Sequence, residues 1–137
     1  MAEARRPERG ILDTSVIIDL DRIDVKRLPV AVAVSAVTLA ELAAGPHATD
    51  DPEERGRRQD RLQRAEATFD PLAFDGEAAR AYGRVFAAVV AAGRQARGAR
   101  AVDLLIAATA VAAGLPLHTR NGDDFRALGT LLEVVVV

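Results

Sequence analysis

Short apolar runs rich in β-branched residues alternate with helix-period segments along this chain, and few folds accommodate that alternation. Gly10-Ile11-Leu12 runs into Asp13, and Val16, Ile17, Ile18 and Leu20 follow as a short helix. Val30-Ala31-Val32-Ala33-Val34 reads as a buried strand; Thr38 to Leu42 opens a helix that Gly45-Pro46 stops. Phe69 to Phe74 is a strand candidate that Pro71 places at an edge. Gly76 to Gly93 is an Ala-rich amphipathic helix, and Ala101 to Ala113 is an almost wholly apolar one ended by Gly114. Leu115 to Thr119 and Leu131 to Val137 close the series as strands, the second with a Val run suited to burial on both faces. Strands alternating with helices in this way pack as a three-layer α/β/α fold. The expected centre is a mainly parallel sheet of four to five strands with helices on both faces.

Composition narrows the class. The chain has 137 residues, enough for one core, and is 50% hydrophobic and 28% charged, which is globular rather than disordered. It divides into a flexible tail over residues 1–9 and a single domain over 10–137. Cysteine is absent, which excludes disulfides and thiolate metal sites. No apolar stretch is long enough to span a bilayer and no secretory leader is visible, so a cytoplasmic protein is expected. The net charge of −2 gives no general attraction to nucleic acid, so any such contact has to be local.

Four carboxylates fall where strand patterns give way to helix patterns: Asp13, Glu41, Asp103 and Asp124. Such junctions converge on the crevice at the carboxyl ends of the strands in an open α/β sheet. Each acid also has a structural reading. Asp13-Thr14-Ser15 suits a helix cap, Thr38-x-x-Glu41 reads as a capping box, and Asp103 suits the first turn of its helix. Asp123 beside Asp124 leaves open which of the two is the fourth acid and which a turn residue. Taken singly, caps explain much of this; four acids after four separate strand candidates are harder to explain that way. Carboxylates crowded together repel each other unless a cation compensates, and an all-oxygen ligand set suits Mg²⁺ or Mn²⁺. Thr14, Ser15, Thr119 and Asn121 are the polar neighbours able to support them.

Ile11-Leu12-Asp13-Thr14-Ser15, Ala40-Glu41-Leu42, Asp103 to Ala110 and Thr119-Arg120-Asn121-x-x-Asp124-Phe125 resemble the PIN-domain ribonucleases. More narrowly they resemble the VapC toxins of type II toxin–antitoxin modules. The resemblance runs from Ile11 to Phe125 with all four motifs in family order. It implies a Mg²⁺- or Mn²⁺-dependent endoribonuclease that inhibits translation by cutting RNA, often tRNA or rRNA. It also implies a VapB-type antitoxin whose C-terminal segment enters the active-site groove, a homodimeric toxin core and a toxin–antitoxin hetero-oligomer. By motif position, Asp13, Glu41, Asp103 and Asp124 carry over as the acidic quartet, with Asp13 and Asp103 as first choices for metal ligands. Asn121 and the Thr14 and Ser15 hydroxyls carry over as supporting positions. The extra acid, Asp123, departs from the pattern; Asp124 keeps the spacing to Phe125.

RNA approaching an acidic pocket requires nearby positive charge. Arg94, Arg97 and Arg100 recur just before Asp103, and Arg120 adjoins Asn121; these are the candidate phosphate contacts. His47 and His118 have no catalytic partner pattern and read as surface or packing residues, and Tyr82 and the four Phe residues read as core. The charged segment from Thr49 to Ala67 reads as an exposed helix or mobile arm. Two other classes compete. A phosphohydrolase of the aspartyl-nucleophile type wants a second acid two residues after the first, where this chain has Ser15. A catalytically silent α/β interaction domain would use all four acids as caps.

Overall fold

β1 (Arg9–Leu12), β2 (Ala31–Val34), β3 (Leu117–Thr119) and β4 (Val134–Val136) form one parallel sheet, in the order β2-β1-β3-β4, in the computed structural model, which describes residues 7–94 and 99–137. The helices are α1 (Thr14–Ile18), α2 (Ala36–Ala44), α3 (Pro52–Thr68), α4 (Gly76–Ala91) and α5 (Ala99–Ala113). The expected three-layer α/β/α architecture follows from the period-two alternation of the strands. Ile11 and Leu117 face a core built from Ala81, Val85 and Val89 of α4 and Leu104, Ile106, Ala107, Ala108 and Ala110 of α5. Leu12 and Val34 face the opposite core, with Val16 and Ile17 of α1, Leu42 of α2 and Ala65 of α3.

The strand order places a topological switch beside β1. The chain passes from β1 to β2 on one side and returns to β3 on the other, so the connections leaving β1 and β3 diverge and open a crevice at their carboxyl ends. Asp13 follows β1 there, and its N–H donates to the His118 carbonyl at 3.0 Å.

Several elements differ from expectation. The Phe69–Phe74 strand shrinks to a single parallel bridge between Leu72 and Ser35, so the sheet has four strands among the described residues. β2 is therefore an edge, which exposes Val30 and Val32 instead of burying them. β4 is the other edge, and Val136 is exposed rather than buried on both faces. Of the two forms expected for the charged segment, the helix is the one found, the 17-residue α3: Asp51 caps it, Glu54 pairs with Arg57 and Arg58, and Ala65 is buried. Phe125 is core as expected, whereas Phe74 and Phe86 are exposed. Part of the expected tail is tied to the sheet, because the Pro7 and Glu8 carbonyls accept bonds from Val30 and Ala31 and Arg9 lies in β1; residues 1–6 lie outside the described residues.

Gly10 has a steric role. A Cβ there would lie 2.5 Å from Cε1 of His118, so the buried imidazole occupies the space the glycine leaves. No helix among the described residues is long and apolar enough to cross a membrane.

Candidate active site

The crevice beside β1 is assembled from four elements, each delivering one acid. Asp13 ends β1 in extended conformation and caps α1, its Oδ1 accepting the Val16 N–H at 3.2 Å and the Ser15 hydroxyl at 2.5 Å. Capping and crevice position are thus one role here, since the cap holds a buried carboxylate at the switch point. Ser15 Oγ also accepts the Arg120 N–H at 3.0 Å and lies 3.5 Å from the Thr119 hydroxyl. Thr119 in turn accepts the Asn121 N–H at 3.0 Å. The hydroxyls of Ser15 and Thr119 thereby tie the β1 exit to the β3 exit. The Asn121 side chain itself caps nothing and is exposed.

The capping box expected at Thr38 and Glu41 is not formed. Ser35 caps α2, accepting the Thr38 N–H at 3.0 Å, so Glu41 lies in the second turn, away from the cap. Its Oε1 instead accepts the Thr14 hydroxyl at 2.5 Å, across 27 residues of sequence. Thr38, expected as the cap itself, and Ser35, to which no role was assigned, are both fully buried. The available signal was spacing, because Thr38 and Glu41 are three apart and share a helix face.

Asp103 lies in the second turn of α5, not the first, because the helix begins at Ala99. Burial pushes its carboxyl up to about 6, and the charges of Asp124, Glu41 and Asp13 push the same way, against the opposing pull of Arg100. The field at Asp103 therefore links all four predicted acids. Asp124 is the member facing the cluster; Asp123 is exposed and its carboxylate pairs with Arg126. Of the predicted arginines, Arg100 contacts Asp124, and exposed Arg94 donates to the Asp123 carbonyl at 2.7 Å. Arg120 is turned away, pairing with Asp19 at 3.2 Å and donating to the Val137 carbonyl at 2.8 Å. Arg97 lies outside the described residues.

These donors fit a hard divalent cation in charge and chemistry: oxygens only, and a half-buried carboxyl destabilised by its acidic neighbours. They are not a preformed cage, since among the described residues no three acidic or histidine side chains constitute a metal-holding group. Mg²⁺ keeps several waters, so one or two direct carboxylates are enough to hold it. A cavity of about 300 Å³ lies elsewhere, between α1 and α3 and lined by Ile17, Leu20, Ala65 and Phe69.

The family described as PIN domain matches residues 10–131. Ribonuclease VapC5 of Mycobacterium tuberculosis is 36% identical over 134 residues, covering 96% of each chain. A chain in the crystal structure of VapBC-5 from Mycobacterium tuberculosis superposes with a TM-score of 0.84 at 37% identity, over 96% of this chain and 100% of that one. A chain of VapBC2 from Rickettsia felis, solved with a promoter DNA fragment, shares the fold at a TM-score of 0.70 and 20% identity, over 92% and 96%. With the acids of β1, α2, α5 and the 122–128 turn in one electrostatic neighbourhood and these similarities spanning nearly its whole length, the chain belongs to the PIN-domain family, in its VapC branch.

Proposed function

We propose that this protein is a divalent-metal-dependent endoribonuclease toxin that cuts cellular RNA in the cytoplasm, with tRNA or rRNA as substrate, and is silenced by a VapB-type antitoxin. The observation that carries the reading is the shared field of Asp13, Glu41, Asp103 and Asp124 at the switch point. The similarity to a ribonuclease and to a toxin–antitoxin complex supports the substrate class and the partner. A homodimeric toxin within a hetero-oligomer belongs to the same reading, by resemblance to the VapC family.

Asp13 and Asp103 are the residues that would hold Mg²⁺ or Mn²⁺ directly, and Glu41 and Asp124 would act through water. The cation, when bound, supplies Lewis-acid activation of water and of the scissile phosphate. The chain supplies the rest. Ser15 fixes the Asp13 carboxylate, Thr14 fixes one oxygen of Glu41, and Arg100 fixes Asp124. Exposed Arg94 lies near the 122–128 turn and is the better placed of the arginines for a flanking phosphate.

The test is cleavage of total RNA by purified protein, with Mg²⁺ and with chelator, comparing wild type and Asp103→Asn. Cutting that requires the metal and disappears in the variant is expected. Chelator-resistant cutting, or undiminished cutting by a folded Asp103→Asn protein, would overturn the mechanism.

A further inference from the structure

The side chain of Arg120 is turned from the acids, yet it holds the helix that orients two of them. α1 has only five residues, Thr14–Ile18, and a helix of that length is marginal on its own in water. Burial of Val16 and Ile17 sets its depth, but apolar contact is non-directional, so its rotation depends on bonds to its flank. Ser15 and Asp19 share that flank, four residues apart and joined by the bond from the Asp19 N–H to the Ser15 carbonyl at 3.3 Å. Arg120 reaches both. Its backbone N–H donates to Ser15 Oγ at 3.0 Å, and its Nε donates to Asp19 Oδ2 at 3.2 Å. Its Nη1 donates to the Val137 carbonyl at 2.8 Å, which anchors the guanidinium to a residue outside α1.

The Asp19 carboxylate makes no cap bond to the turn that follows, and its partner is Arg120. Both side chains are about one-third exposed, so the pair adds little to stability. What it supplies is orientation. Thr14 of α1 gives its proton to Glu41 Oε1 at 2.5 Å. The two bonds to Asp13 Oδ1 also come from α1, the Ser15 hydroxyl at 2.5 Å and the Val16 N–H at 3.2 Å. Without Asp19, α1 keeps a single tether to Arg120, at Ser15. A turn about that pivot shifts the Thr14 hydroxyl against Glu41.

We infer that the Arg120 side chain is a positioning residue for Glu41 and Asp13, acting through Asp19 and α1 rather than on RNA. This rests on the nuclease reading for its consequence, though not for its geometry. A phosphate contact made by Arg120 would respond to loss of Asp19 in the opposite sense, because removing that carboxylate frees the guanidinium for RNA.

The experiment uses Asp19→Ala, Asp19→Asn, Arg120→Met and the Asp19→Ala/Arg120→Met double variant of the full chain. The readouts are the carboxyl-carbon NMR resonances of Asp13 and Glu41 in metal-free protein, kcat and KM on a short RNA with Mg²⁺, and the urea unfolding midpoint. Asp19→Ala is expected to move the Glu41 resonance and to lower kcat about three- to tenfold, the weight of one hydrogen bond, with KM and the midpoint nearly unchanged. Asp19→Asn keeps an oxygen to accept the Nε proton and restores both. The double variant is no slower than Arg120→Met alone. An unmoved Glu41 resonance in Asp19→Ala, no recovery with asparagine, or a lowered KM in Asp19→Ala would each overturn the inference. So would a double variant slowed by the product of the single effects. If Arg120→Met does not fold, the contrast between alanine and asparagine at position 19 decides alone. A wild type that cuts no RNA, with the Glu41 resonance responding as described, defeats the nuclease reading and leaves the clamp on α1 standing.

Discussion

Arg100 holds Asp124 at two points, its Nη1 donating to the backbone carbonyl at 3.0 Å and its Nη2 lying 3.4 Å from Oδ1. The same guanidinium lowers the proton affinity of Asp103. One arginine thus offsets part of the repulsion among four acids in the metal-free protein. Both partners are about one-third exposed, so the pair itself is worth less than about 1 kcal/mol. Its larger effect falls on the cluster.

Replacing Arg100 by Gln is therefore expected to lower metal-free stability slightly and to enlarge the stabilisation gained on adding Mg²⁺. Thermal unfolding with and without saturating Mg²⁺ measures both quantities. Equal metal-induced increments for wild type and variant would show that Arg100 does not share the acids' field.

Asp103 gives a pH-dependent outcome. Its folded carboxyl titrates near 6, above the ordinary 3.8, because burial and three acidic neighbours disfavour the charge. The fold therefore holds this proton more tightly than the unfolded chain does. That contribution to stability is full below about pH 4 and is lost as pH rises through 6. Metal-free Asp103→Asn is expected to be more stable than wild type at pH 7.5, with the difference closing toward pH 4. Chemical denaturation across that range checks it; a difference independent of pH would contradict the burial and field described here.

Much of this was legible before any coordinates. The alternation of strand and helix patterns, with the apolar length of 101–113, was sufficient for a parallel three-layer sheet. The edges were not legible. Val30–Val34 and Leu131–Val137 look like central strands because residue type cannot report that no neighbour pairs beyond them. The four acids were found because each falls where a strand pattern gives way to a helix pattern. Their supports were harder to assign: the Thr14–Glu41 contact spans 27 residues, and Arg120, adjacent in sequence to the site, is drawn off by Asp19 and Val137. A local reading sees a polar side chain but not which of several partners it reaches.

His118 presents the opposite sign to Asp103. Burial lowers its pKa from 6.5, and among the described residues neither ring nitrogen has a hydrogen-bond partner. The Pro116 and Ile11 carbonyls favour the charged ring somewhat, without reaching bonding geometry. The neutral ring belongs to the fold, so its contribution is full above about pH 6.5 and is lost as pH falls below it, where the unfolded chain takes the proton. His118→Leu is expected to lose less stability than wild type between pH 6.5 and 5. Parallel stability curves over that interval would count against a buried neutral imidazole.

Ser15 joins the two strand exits on which the crevice depends. Its hydroxyl donates to Asp13 Oδ1 at 2.5 Å and its oxygen accepts the Arg120 N–H at 3.0 Å. Ser15→Ala removes both bonds at once, leaving the Asp13 carboxylate held by the Val16 N–H alone and a partly buried backbone donor without its acceptor. The expected cost is about 1–3 kcal/mol of stability, the penalty of an unsatisfied buried group. RNA cleavage should fall by about tenfold more than that loss of folded protein explains, because Asp13 keeps only one of the two bonds that orient it. Urea unfolding, paired with cleavage rates corrected for the folded fraction, separates the two effects. A variant as stable and as active as wild type would mean that the β1 and β3 exits hold their positions without Ser15.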